Sequence, residues 1–92
     1  MYYVYVVRSL RDHQFYTGCT QDLRKRLMQH EAGEVVSTRL RIPLKLVYYE
    51  AYLNADDAYR RERYLKSGLG KRDLRKRLYN TLNHLAGTRV RV

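Results

Sequence analysis

Three polar side chains fall where helical periodicity expects apolar ones, and each belongs to a type that does chemistry. Residues 20–32 carry a helical pattern. With Leu23 set at zero, Leu27 falls near about 40°, Arg26 near about 300° and His30 near about 340° on the helical wheel. Residues 55–67 repeat the anomaly with the opposite charge. With Ala55 at zero, Ala58 falls near about 300°, Tyr59 near about 40°, Leu65 near about 280°, and Glu62 near about 340°, in the middle of the apolar face. A charge on an inward face is costly unless it is paired or lines a wet cavity. Two readings follow. Glu62 is structural, in a buried ion pair with Arg26 or snorkelling from a helix edge, or Arg26, His30 and Glu62 edge a cleft together with Tyr5 and Tyr16.

The second reading has a definite chemistry. One carboxylate suits a single Mg²⁺ that keeps most of its waters and takes a phosphate oxygen. An arginine clamps a phosphate with two parallel hydrogen bonds and offsets transition-state charge. Tyrosine or histidine moves a proton to or from a water nucleophile. These are the parts for phosphodiester hydrolysis with one metal ion. No GxSxG, P-loop or GxGxxG motif is present, so acyl transfer and nucleotide-cofactor chemistry find no support.

The elements that must position these residues can be read along the chain. Residues 2–8, YYVYVVR, are β-branched and aromatic on both faces, which predicts a central strand covered on both sides. Residues 9–13 are turn-like, and residues 14–18 form a second strand ending at Gly18. The two make an antiparallel hairpin with Tyr5 within about one residue of lying opposite Tyr16. The first helix spans 20–32, capped by Thr20 or Asp22 and ended by Gly33. A basic loop over 33–43 holds Arg39 and Arg41. A third strand covers 44–52. Asn54 or Asp56 caps a second helix through Ser67, broken by Gly68 and Gly70. A third helix over 71–86 carries Leu74, Leu78, Leu82 and Leu85 on one stripe, and Gly87 ends it before a short basic tail. The order β-β-α-β-α-α predicts an α+β fold, a small three-stranded antiparallel sheet flanked by helices, in one domain over 1–92.

Composition narrows the function classes. Nineteen Lys and Arg against nine Asp and Glu give a net charge of +10 on 92 residues. The 45% hydrophobic content excludes a disordered basic tail. Ten Tyr with one Phe and no Trp mix rings, hydroxyls and cations in a way that suits nucleic acid, or simply put tyrosine in a small core. No apolar run reaches the length of about 18 that a membrane span needs. The first ten residues lack the order of a signal peptide. Cys19 is the single cysteine, and with no zinc-type spacing a reducing, cytoplasmic compartment is expected. Residues 60–77 hold nine Lys and Arg and two acids. Arg60, Arg63, Lys66, Lys71 and Arg72 are the expected phosphate-tracking side chains, with Arg39 and Arg41 as weaker ones. A solvated helix face is the other reading of such a run.

On these residues the chain resembles the GIY-YIG nuclease superfamily, and within it the small stand-alone bacterial UPF0213 type. Tyr3-Val4-Tyr5 stands where the family has Gly-Ile-Tyr, and Tyr16-Thr17-Gly18 where it has Tyr-Ile-Gly. The family's helical Arg falls on Arg26, ten residues after the second tyrosine. The His one turn later falls on His30, and the metal-binding Glu on Glu62 in YRRERYLKSG. Cys19 departs from relatives that carry Lys there, and reads as a small half-buried residue. The resemblance implies metal-dependent cleavage of DNA in repair or processing, with Glu62 holding Mg²⁺ or Mn²⁺ and Arg26 holding the scissile phosphate. Tyr5 or Tyr16 is then the general base or orients the water, His30 orients substrate or Tyr5, and Gly18 lets backbone and phosphate approach. With 92 residues and no separate DNA-reading domain, specificity is expected to be low, and the chain a monomer or homodimer. The competing expectation is a nucleic-acid-binding module of the same fold with weak or no catalysis.

Overall fold

The computed structural model describes residues 1–85. Strands β1 (Tyr2–Ser9), β2 (Phe15–Thr20) and β3 (Leu44–Tyr52) form one antiparallel sheet in the order β2-β1-β3. Helices α1 (Leu23–Glu31), α2 (Ala55–Lys66), α3 (Gly68–Arg77) and α4 (Tyr79–Leu85) cover it. The fold is the α+β arrangement the sequence predicts, with β1 in the centre.

The two-faced pattern of β1 builds two cores. Val4 and Val6 point into one, against Ala58 and Leu65 of α2, Leu74 of α3 and Leu78. Tyr5 and Val7 point into the other, with Leu44 and with Leu23 and Leu27 of α1 packed around them. Sheet and helices thus form three layers. In β3 the register shifts between the partners of Val6 and Val7, because Val6 pairs with Tyr48 and Val7 with Leu46. Val47 is the extra residue of this bulge.

Several expectations need correction. Tyr5 pairs with Gly18, and Tyr16 with Val7, so the two tyrosines are diagonal neighbours two residues apart in register. An even offset keeps both on the same face. The second strand does not stop at Gly18 but runs on to Thr20. The first helix begins at Leu23, with the Asp22 carboxylate accepting from Lys25 N–H at 3.0 Å.

Gly68 and Gly70 lie inside the first turn of α3, whose cap is Ser67. Gly70 is required there by packing: a Cβ would collide with the Tyr64 carbonyl oxygen. The expected third helix is split at Leu78 into α3 and α4. Gly87 and the basic tail lie outside the described residues.

Candidate active site

The edge strand β2 carries the site. Among the described residues no strand lies beyond it, and elements from both faces of the sheet reach around it. A cleft of about 250 Å³ is lined by Tyr16, Thr17, Gly18 and Cys19 of β2, Tyr5 of β1, and Arg26 and His30 of α1. Val35, Ser37 and Thr38 complete one wall, and Glu62 and Lys66 of α2 the other. All five residues predicted for catalysis therefore share one cleft: Tyr5 and Tyr16 come from the strands, Arg26 and His30 from α1, and Glu62 from α2.

Tyr5 sits at its base, 2% exposed. Its ring crosses Gly18, where a Cβ would stand 2.6 Å from the Tyr5 Cζ. The Cβ position of Gly18 is thus filled by Tyr5, so the Tyr5 ring requires glycine there. The Tyr5 hydroxyl accepts from Arg26 Nε at 3.3 Å and meets His30 Nε2 at 2.8 Å. Arg26 also donates to the Gln29 Oε1 at 3.2 Å. The other ring nitrogen of His30, Nδ1, meets the Thr38 hydroxyl at 2.7 Å.

His30 fits these contacts as either tautomer: Tyr5 donates to Nε2 and Nδ1–H to Thr38, or Thr38 donates to Nδ1 and Nε2–H to Tyr5. Arg26 can only donate. The second gives the buried Thr38 proton an acceptor; in the first the buried Tyr5 proton finds its acceptor at His30 Nε2. In that first form Nε2 bears the lone pair, Nδ1 bears the proton, and Thr38 Oγ1 accepts it. Burial, and then the Arg26 charge, push the His30 pKa below its ordinary 6.5, so the ring is neutral at pH 7. Burial also pushes the Tyr5 phenol above 10, against the pull of the Arg26 hydrogen bond and charge.

Tyr16 is held differently. Its hydroxyl donates to Asp12 Oδ2 at 3.1 Å. Asp12 also accepts from Gln14 N–H at 2.9 Å and pairs with Arg41 Nε at 3.3 Å. Its carboxyl is held below the ordinary range, first by the Gln14 backbone.

Glu62 pairs with Lys66, one helical turn on, at 3.0 Å. Arg26 is not its partner, so the buried Glu62–Arg26 pair is set aside. Burial and the neighbouring Glu62 push the Cys19 thiol up, which keeps it protonated, as befits a half-buried filler.

Of the expected phosphate-tracking residues, Gly18 and Lys66 line the cleft. Arg39, Arg41, Arg60, Arg63, Lys71 and Arg72 lie outside its lining. Arg41 is held by Asp12, and Arg60 by Asp57 at 2.7 Å. Thr38 and Asp12 support the site and were missed by sequence reasoning. Both lie in irregular segments, where no periodicity marks an inward residue.

A family profile described as the GIY-YIG catalytic domain matches residues 1–80. This chain belongs to the GIY-YIG family. Within that family its relatives are UPF0213 proteins. It is 43% identical over 67 residues to one from Clostridium perfringens, covering 72% of this chain and 71% of that one. It is 40% identical over 67 residues to one from Haloquadratum walsbyi, covering 72% and 74%. The solution NMR structure of a UPF0213 protein from Bacillus halodurans is 35% identical. It aligns with a TM-score of 0.51 over 80% of this chain and 82% of that one. In this small GIY-YIG protein, Tyr5 and Tyr16 come from the two adjacent strands that hold the family's name-giving motifs.

Proposed function

We propose that this chain is a divalent-metal-dependent endonuclease that hydrolyses DNA phosphodiester bonds with little sequence preference, in DNA repair or processing. The observation that carries the reading is the convergence of Tyr5, Tyr16, Arg26, His30 and Glu62 on one cleft. Among the described residues, no three His, Cys, Asp or Glu side chains gather as a metal cluster. Glu62 would therefore be the one protein ligand. A lone carboxylate fits Mg²⁺ or Mn²⁺ held otherwise by water and phosphate oxygens. Bound there, the ion would polarise a phosphoryl oxygen and acidify water.

The chain's own residues account for the rest. Arg26 offsets charge on the scissile phosphate as the pentavalent transition state forms. Tyr5 takes a proton from the attacking water while its own proton passes to His30 Nε2. One O–H bond breaks on water and one forms on Tyr5; the old Tyr5 O–H breaks and an N–H forms on His30, while the water oxygen bonds to phosphorus, the P–O bond to the leaving strand breaks, and that oxygen takes a proton from solvent. The relay matters because burial raises the Tyr5 pKa above its ordinary value, so the phenol keeps its proton at pH 7 and needs an acceptor before it can take another. Tyr16, with its proton committed to Asp12, presents a lone pair that orients the water. Lys66 exchanges the Glu62 carboxylate for a phosphate oxygen.

The test is incubation of the purified protein with duplex, single-stranded and branched DNA in Mg²⁺ or Mn²⁺. Cleavage should fall by about 100-fold or more in Glu62→Ala and in Tyr5→Phe. Undiminished cleavage in both variants means a different site. Salt-sensitive binding with no cleavage by any form supports a binding module instead.

A further inference from the structure

Residues 33–43, the basic loop whose Arg39 and Arg41 are weaker candidates for phosphate contact, contribute to the cleft in another way. Thr38 is 1% exposed, an unusual place for a polar side chain outside regular structure. Its hydroxyl has one side-chain partner among the described residues, His30 Nδ1 at 2.7 Å.

The backbone around it is fixed at several points. Thr38 N–H donates to the Val35 carbonyl at 3.1 Å, and the Thr38 carbonyl accepts from Arg41 N–H at 2.8 Å. The buried Ser9 hydroxyl donates to the Arg41 carbonyl at 2.6 Å, and Leu10 N–H donates to the Pro43 carbonyl at 2.9 Å. The loop is thus tied to the end of β1, the strand that carries Tyr5.

We propose that Thr38 is a positioning residue: by accepting the Nδ1 proton it fixes His30 in the tautomer whose Nε2 faces the Tyr5 hydroxyl. The catalytic consequence rests on the nuclease reading; the tautomer does not. An imidazole that accepts at Nε2 must carry its proton at Nδ1, and inside the protein that proton needs an acceptor. After Tyr5 passes its proton to Nε2, the imidazolium donates from both nitrogens. Thr38 is the acceptor at Nδ1 before and after the transfer, so the relay runs without rearrangement of the loop. Removing the acceptor favours the other tautomer, in which Nε2 bears a proton and cannot take one from Tyr5.

The experiment reads the tautomer directly. Two-bond ¹H–¹⁵N correlation spectra of the imidazole rings are recorded on the full chain at a pH where His30 is neutral, with His30→Gln assigning its signals. Wild type and Thr38→Ser should show the Nδ1–H form. Thr38→Val, similar in shape but without the hydroxyl, should move His30 towards the Nε2–H form. In DNA cleavage, Thr38→Val should lower kcat by about 10–100-fold with KM within about twofold, and Thr38→Ser should restore kcat. If Thr38→Val does not fold, Thr38→Ala is read in the same way. A wild type in the Nε2–H form, or a hydroxyl-free variant that keeps the Nδ1–H form, overturns the proposal. A tautomer shift with unchanged kcat overturns its catalytic half. Absence of cleavage by wild type overturns the nuclease reading alone, because the tautomer is measured without substrate.

Discussion

A buried imidazole beside a guanidinium keeps its neutral form further into acid than a free one. His30 is 4% exposed, and burial and then Arg26 depress its pKa. The sign of the consequence follows. In the unfolded chain the ring takes a proton near its ordinary 6.5; in the folded chain it does so only at lower pH. The stability contributed by the neutral ring is present above 6.5 and is lost as pH falls through the native value. Cleavage that depends on His30 accepting a proton should therefore persist below pH 6.5. The acid limb of kcat should coincide with the His30 midpoint measured by NMR, and a midpoint at or above 6.5 contradicts the assignment. Arg26→Gln should move that midpoint upwards, because one of its two causes is removed.

At this scale the sequence is unevenly legible. Arg26, His30 and Glu62 stand out because a helix exposes a misfit against its own period. Thr38 and Asp12 do not, since an irregular segment has no period to violate. The hydrogen bonds that decide their roles depend on contacts 8 residues apart for Thr38–His30 and 4 for Tyr16–Asp12.

Between elements, the firmest polar tie is Arg61 of α2 to Glu50 of β3. The guanidinium donates from Nε at 2.9 Å and 3.1 Å and from Nη2 at 2.9 Å. The hydroxyls of Tyr48 and Tyr52 donate to the same carboxylate. Arg61 shares its stretch of α2 with the exposed Arg60 and Arg63. Its position beside Ala58 on the helical wheel, however, brings it over Glu50 once α2 lies on the sheet. Neighbouring Glu62 is thereby given a fixed azimuth towards the cleft.

Burial raises the Glu50 pKa, but Arg61 and the two tyrosines pull harder and the net shift is downwards; burial, and then the Glu50 carboxylate, push Tyr52 up to about 12. The Glu50 contribution is thus present at neutral pH and is lost as pH falls through its lowered value. Arg61→Met should cost roughly 2–4 kcal/mol in urea unfolding, somewhat under the value for a fully buried pair. The double variant Glu50→Gln, Arg61→Met should be more stable than Arg61→Met alone. Strand order and helix order were legible because patterning and caps are local. The split at Leu78 was not, because the leucine stripe reads through it.

For the molecule as a whole, the nineteen basic side chains are not equally free to meet phosphate. Arg41, Arg60, Arg61 and Lys66 each face a carboxylate. Arg63 and Arg72 are exposed and form no ion pair among the described residues. If they track phosphates, Arg63→Gln and Arg72→Gln should each flatten the plot of log affinity for duplex DNA against log salt by about one unit. Arg41→Gln should change it much less, because Asp12 already offsets that charge. Equal slopes for all three variants and wild type would exclude this face from the DNA contact. No helix among the described residues is long and apolar enough to cross a membrane.

The central strand joins two tasks. Val4 and Val6 hold one core, Tyr5 and Val7 the other, and both flanks of β1 are hydrogen-bonded to neighbours. Such a strand belongs to the last unit to open in native-state amide exchange. The Val4–Val6 amides should exchange only by global unfolding, with protection equal to the stability from denaturant titration. Fraying of α4 or breathing of the outer loops then leaves Tyr5 in place. Thermal inactivation should follow the global melt and not precede it, so the working tyrosine is as durable as the fold itself.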